Sequence, residues 1–301
     1  MYENLLSVKN DYVFKWIFGD NEHKDILAAF LNAVTKIPRE DLNNLEILNG
    51  EIVREGALGK SSVLDVRVKL HNGKQINIEI QVAPLDSMPE RSLMYLSKMY
   101  SSQLQKGQSY GTIKKCIAIN IVDYMAVEPH KVHAVYHFRE DESPEYMLTD
   151  KMEVHFLQLP CLSDKTNAAQ ADDAIIQWLT FINDQTPDII EKLEKGGEPE
   201  MVKAIELLEA MSQSQERRMI ADAQDREEHD IATRLEESEA RGEAKGLELG
   251  LFEGKAEGIV EGKVQIIYNC AALNMTAEQI APIVQLTADE VREILKKKPV
   301  L

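Results

Sequence analysis

Apolar and polar positions alternate strictly through Ile76-Asn77-Ile78-Glu79-Ile80-Gln81-Val82. The four aliphatic residues share one side, and Asn77, Glu79 and Gln81 share the other. That period of two predicts a strand with one buried face. The run Val63-Leu64-Asp65-Val66-Arg67-Val68 predicts a second strand, and the turn signal His71-Asn72-Gly73 between them makes the pair a hairpin. Elsewhere the period lengthens. The segment Asp11-Tyr12-Val13-Phe14-Lys15-Trp16-Ile17-Phe18 stops at Gly19, as a helix with an acidic first turn and a glycine stop would. Further helices are expected over residues 24–34 and 89–106, and an edge strand over residues 45–53. Cys116-Ile117-Ala118-Ile119-Asn120-Ile121-Val122 is almost continuously apolar, the pattern of a strand buried on both faces. The order helix, strand, strand, strand, helix, strand predicts an α/β core with a mixed sheet.

Short strands are expected next, at residues 133–138 and 154–157. His133 and His137 lie four apart on one face of the first, a spacing a metal pair would share, with no third ligand in view. Residues 168–195 read as helical with a break at Pro187. After Gly196-Gly197 and Pro199, a Glu-, Ala-, Arg- and Lys-rich stretch predicts one long helix over residues 200–273. Glycine recurs in it every fourth residue, at Gly242, Gly246, Gly250, Gly254, Gly258 and Gly262. Each glycine costs about 1 kcal/mol against alanine in a helix interior. The ladder therefore either admits a second helix at close range, making the segment a self-associating helix, or belongs to a hinged tether. The first reading is preferred. The chain ends in two capping boxes, Thr276 with Gln279 and Thr287 with Glu290, which predict two short helices arranged like a helix-turn-helix. Residues 275–301 balance four acids against four bases, so a packing or assembly cap is the stronger reading. These boundaries divide the chain at residues 1–195, 196–273 and 274–301.

The hairpin's register decides its chemistry. A two-residue turn at Asn72-Gly73 would pair Asp65 with Ile80 and send the carboxylates of Asp65 and Glu79 to opposite faces. A three-residue loop, with Gly73 in the left-handed conformation, would place Asp65 opposite Glu79, Arg67 opposite Asn77 and Val63 opposite Gln81. Opposed β-carbons stand about 4.5–5.5 Å apart. Two carboxylates that close repel unless a cation neutralises them, and a hard ion such as magnesium, which binds one or two carboxylates plus water and phosphate, is suited to do so. The alternative is an acidic, solvated strand face.

Charge neither excludes nor requires a nucleic-acid partner. The net charge is −17, yet residues 1–125 hold 15 acidic and 15 basic side chains, so the excess sits entirely in the remainder. The hairpin's surroundings would not repel a phosphate backbone, nor hold one tightly unaided. No apolar run is long enough to span a membrane, and residues 1–4 lack a basic signal-like start, so a soluble cytoplasmic protein is expected. Cys116, Cys161 and Cys270 are far apart and form no Cys-x-x-Cys pair, as reduced thiols would be.

The order of a helix, three strands with Asp on one and Glu-x-Gln on the next, a helix and a strand resembles the PD-(D/E)xK nuclease core, a restriction-endonuclease-like fold. Within that group the chain resembles the Rpn family of recombination-promoting nucleases, the PD-(D/E)xK nuclease family transposases. The resemblance rests on Lys9-Asn10-Asp11-Tyr12-Val13-Phe14-Lys15, Leu64-Asp65-Val66, Ile78-Glu79-Ile80-Gln81 and Arg91-Ser92-Leu93-Met94-Tyr95, then on the glycine ladder and the closing repeats. It implies a magnesium- or manganese-dependent DNA endonuclease with a long helical C-terminal tail that serves homo-oligomerisation. Asp65 and Glu79 would hold the metal, with the Ile80 carbonyl a candidate third ligand. Gln81 stands where such nucleases usually carry lysine, and an amide can orient water or phosphate but is neither a base nor a cation. Asp11 is a candidate to approach the metal from the first helix. Arg91 and Tyr95, four apart on one helix face, either contact phosphate and brace the site or form an ordinary Arg–carboxylate pair with a packed tyrosine. The competing function is a relative without useful catalysis, acting as a DNA- or protein-binding assembly module.

Overall fold

The computed structural model describes residues 4–48, 66–164 and 171–296. The chain forms two compact units that divide after His229.

In the first unit, helix α1 (Asp11–Phe18) starts where the Asn10 side chain accepts hydrogen bonds from the Tyr12 and Val13 amides, and it buries Val13, Phe14, Ile17 and Phe18. Helix α2 (Lys24–Thr35) and the short α3 (Arg39–Leu42) follow. Strand β1 (Glu46–Leu48) matches the start of the expected edge strand; the rest of that expectation, residues 49–53, lies outside the described residues. Then come β2 (Val66–Lys69), β3 (Gln75–Gln81), α4 (Met88–Ser101), β4 (Cys116–Val122), β5 (His133–Tyr136) and β6 (Met152–Gln158). The sheet order is β1-β2-β3-β4-β6-β5. β1, β2 and β3 pair antiparallel, β3, β4 and β6 parallel, and β5 antiparallel to β6, so the sheet is mixed.

Alternation along β3 and β4 sorts the layers. Ile76, Ile78, Ile117, Ile119 and Ile121 join the main core with α1 and α2, together with α5 (Asp173–Asn183), α6 (Pro187–Gly196) and α7 (Pro199–Gln213). Trp178 packs edge to face on Phe18 and Phe30, with ring centroids 5.9 and 6.1 Å away, and the two phenyl rings lie tilted at 5.3 Å from each other. The other sheet face carries Cys116, Ala118, Val122 and Phe156, covered by Met88, Leu96 and Met99 of α4.

The stretch from residue 200 is two helices rather than one. α7 ends at Gln213, Ser214 takes extended backbone, and α8 runs Gln215–Ala272. The Ser214 hydroxyl accepts from the Arg217 amide at 3.4 Å, a local cap that competes with helix continuation. The first turns of α8 belong to the core unit. Gln224 accepts from the Tyr12 amide at 3.0 Å, Asp225 accepts from the Asn10 amide group at 2.6 Å, and the Arg217 guanidinium stacks 3.6 Å over the Trp16 ring.

In the second unit, α8 continues unbroken through the glycine ladder, and, outside the helix's own neighbouring residues, no atom of the described residues lies within 4 Å of the space a β-carbon would take at any of the six. Helices α9 (Ala277–Val284) and α10 (Ala288–Lys296) close over Ile267, with Ile280, Val284 and Val291 buried between them. Both capping boxes form: Gln279 accepts from the Thr276 amide at 2.9 Å and Glu290 from the Thr287 amide at 2.7 Å.

Candidate active site

The hairpin closes with three loop residues. The Leu70 amide donates to the Lys74 carbonyl and the Gly73 amide to the Leu70 carbonyl, each at 2.8 Å, with Gly73 at φ +85°. Its register pairs Val66 with Ile78 and Arg67 with Asn77. This is the longer-loop alternative, and it puts Arg67, Asn77 and Glu79 on the α4 side of the sheet. Asp65 lies outside the described residues.

Glu79 is the centre of what is described. The residue is only 3% exposed, inside a sheet interior that offers its carboxylate little solvation. Burial raises its pKa, and the charges of Arg91 and Lys15 and a hydrogen bond from Asn77 only partly offset that push. Arg91 of α4 places Nε 3.4 Å from Glu79 Oε2, and its guanidinium lies 5.4 Å from the centroid of the buried Tyr95 ring. Arg91 is thus in an Arg–carboxylate pair beside a packed tyrosine, and the carboxylate is that of Glu79. Asn77 Nδ2 donates to Glu79 Oε1 at 3.3 Å, whereas its buried Oδ1 has no partner.

Helix α1 supplies the next group. Lys15 holds Asp11 Oδ2 at 2.8 Å, one helical turn apart, while Asp11 Oδ1 is buried with no hydrogen-bond partner. Gln81, two residues beyond Glu79 on the same strand face, donates its side-chain amide to the Ala83 carbonyl at 3.1 Å. Ile80 points its side chain the other way, against the main core. Arg67 donates to Gln75 Oε1 at 2.8 Å, and burial lowers the pKa of its guanidinium.

The structure therefore brings Glu79, Arg91 and Tyr95 together on the strand face that Gln81 continues, while Asp11 of α1 is paired with Lys15. Lys15, Arg67 and Asn77 were not singled out from the sequence. Arg67 and Asn77 were legible only as register partners, and Lys15 only as a helix surface residue. Among the described residues no group of three or more His, Cys, Asp or Glu is assembled to hold a metal. The buried Glu79 carboxylate, with one guanidinium beside it, and the unpartnered oxygen of Asn77, whose amide donates to it, are nevertheless oxygen donors of the kind a hard cation takes.

His133 and His137 belong to a different cluster, on the far side of the sheet. His133 Nε2 is 2.8 Å from His155 Nδ1, His155 Nε2 is 2.6 Å from Glu153 Oε1, and Glu153 Oε2 receives His137 at 2.9 Å and Lys115 at 2.5 Å. Burial works against the Glu153 carboxylate, but bonds from His155 and Lys115 outweigh it and hold the pKa well below the usual range. Burial, His155 and Lys36 push His133 down to about 4. With an ammonium occupying the carboxylate, this cluster is an internal ion network.

A family model described as PD-(D/E)XK nuclease family transposase matches residues 8–238. No curated protein and no solved structure gives a match.

Proposed function

From the premise that this chain belongs to the PD-(D/E)XK nuclease family transposases, we propose that it is a divalent-metal-dependent DNA endonuclease, using magnesium or manganese, that acts in recombination or transposition. The observation that carries this reading is the buried Glu79 carboxylate, set on a hairpin whose loop has three residues. One further step of that register is the basis for assigning Asp65 as its partner. Asp65 and Glu79 would hold the cation, with the Ile80 carbonyl as a third ligand and Asp11 nearby. A cation held there supplies Lewis-acid polarisation of the phosphodiester and a more acidic bound water.

The protein's own groups do the rest. Arg91 offers positive charge beside Glu79, and Tyr95 fixes the guanidinium from its other face. Gln81 orients water or phosphate as a neutral donor. The α4 layer and Asn77 keep bulk water from Glu79, which strengthens every charge interaction there. Self-association through α8 is proposed on a separate ground, the glycine ridge that meets no other group among the described residues.

Nicking of supercoiled plasmid in magnesium or manganese tests the assignment. Wild type is expected to nick, while Asp65→Ala and Glu79→Gln each lose at least about 100-fold, the scale of removing a group that binds the reacting centre. Equal nicking by all three proteins would refute the site. An absence of metal-dependent nicking by wild type on any DNA form would favour the non-catalytic assembly reading.

A further inference from the structure

Asn77 stands where a central strand would ordinarily carry an apolar residue. It is 2% exposed, on β3 between β2 and β4, with Ile76 and Ile78 on either side. A buried amide in such a strand is unfavourable unless its hydrogen bonds are met. Here they are met only in part: Nδ2 donates to Glu79 Oε1 at 3.3 Å, while the buried Oδ1 has no partner among the described residues. Its register partner Arg67 does not supply one, since that guanidinium donates to Gln75 Oε1 at 2.8 Å.

Asn120, the register neighbour of Glu79 on β4, is the contrast. It is as deeply buried, but its amide donates to Ser92 Oγ at 2.9 Å and to the His155 carbonyl at 3.0 Å, which fastens α4 and β6 to the strand. Those bonds serve the fold. The Asn77 bond serves the carboxylate of the candidate site. We propose that Asn77 is a positioning residue of the cation site, fixing the plane of the Glu79 carboxylate in the orientation that binds a divalent cation.

The last torsion of a glutamate side chain has no staggered wells to hold it, so the carboxylate plane is set by its partners. Asn77 engages Oε1 and Arg91 lies at Oε2, 3.4 Å from its Nε, so the two oxygens are told apart. An ionised carboxylate only accepts, which requires the amide to present its NH2 group and turn Oδ1 away. The unpartnered Oδ1 is the consequence of that orientation. A neutral donor also suits a cation site: a lysine at this position would repel the ion, and an aspartate would repel Glu79. Loss of a partner that orients a metal ligand typically weakens metal binding by about 10–100-fold. This role rests on the endonuclease reading above, and the experiment separates the two.

Wild type, Asn77→Val, Asn77→Ala and Glu79→Gln are compared for manganese affinity by calorimetry, for the manganese dependence of plasmid nicking, and for melting temperature in chelator. Asn77→Val removes the hydrogen bond to Glu79 and the unpartnered oxygen together, changes of opposite sign for stability, so it is expected to melt within about 3 °C of wild type. Its manganese affinity is expected to fall about 10–100-fold. The manganese needed for half-maximal nicking should rise by the same factor, while the rate at saturating manganese stays within about threefold of wild type. Asn77→Ala, with no branched side chain to accommodate, is expected to show the same shift and keeps the test open if valine disturbs the fold. A merely structural asparagine would lower the melting temperature and the saturated rate and leave the affinity of the folded protein unchanged, and that pattern overturns the positioning role. Manganese affinity within about twofold of wild type in both Asn77 variants, with Glu79→Gln inactive, overturns it while leaving the endonuclease intact. Nicking that neither Glu79→Gln nor metal removal lowers overturns both.

Discussion

Glu79 shows at the scale of one residue what burying a carboxylate costs in stability. A carboxylate on a residue 3% exposed, with one guanidinium at 3.4 Å and one amide at 3.3 Å, is poorly compensated for leaving water. Its folded pKa is raised, so its favourable contribution is fully present below the unfolded value and is lost as pH rises through the folded one. At neutral pH in chelator, Glu79→Gln is therefore expected to melt at or above wild type, by up to roughly 2–4 °C for about 1 kcal/mol in a domain of this size. The same substitution should abolish any melting shift that manganese gives wild type. A variant that melts several degrees early in chelator would show that the carboxylate is structural. His133 behaves in the opposite pH range. Its folded pKa near 4 lies below that of a free imidazole, so the unfolded chain binds the extra proton first. Stability should fall as pH drops from about 6.5 towards 4, with the depressed Glu153 adding to the loss below the usual carboxylate range. Thermal melts across that range should flatten in His133→Gln, and an unchanged slope would remove His133 as the cause.

Among the elements, the hairpin and α8 answer different questions. The hairpin's hydrophobic alternation was plain in the sequence, but alternation alone allowed either loop length. Gly73 in the left-handed region and the Leu70–Lys74 closure selected the longer loop, and with it the face on which Glu79 lies. For α8, the residue pattern predicted helix and the ladder left two readings open. The helix is continuous through six glycines whose missing β-carbons would meet no other group among the described residues, with Leu247, Leu251 and Phe252 exposed among them. Gly250→Ala/Gly254→Ala should make the isolated helix more stable, by about 1 kcal/mol per site. It should weaken self-association if the ridge admits a second backbone. Sedimentation velocity reads the difference: unchanged association in the double variant would leave the ladder no part in assembly.

For the whole molecule, charge is unevenly placed. The −17 comes from residues 126–301, while the part that carries β2, β3 and α4 is neutral. Duplex binding by Glu79→Gln, which is expected not to cleave, should accordingly be weak. Its dependence on salt should be shallow, with a log–log slope no steeper than about −4, since few phosphates can be neutralised. A slope near −10 would require a broad basic surface that the sequence around the site does not hold.

What the sequence determined by itself was periodic: α1 and β4 at their observed bounds, β3 displaced by one residue (76–82 expected, Gln75–Gln81 observed), a mixed α/β order, and the capped helices at the C-terminal end. Period and capping are local properties, set by which neighbours along the chain share a face. Only the tertiary structure decided that Arg91 would reach Glu79 and that His133 and His137 would meet Glu153 and His155. Such contacts depend on sheet order and on which face each helix covers. Those follow from burying the aliphatic side of β3 and β4 against α1 and α2, a competition among all apolar surfaces that no single segment records.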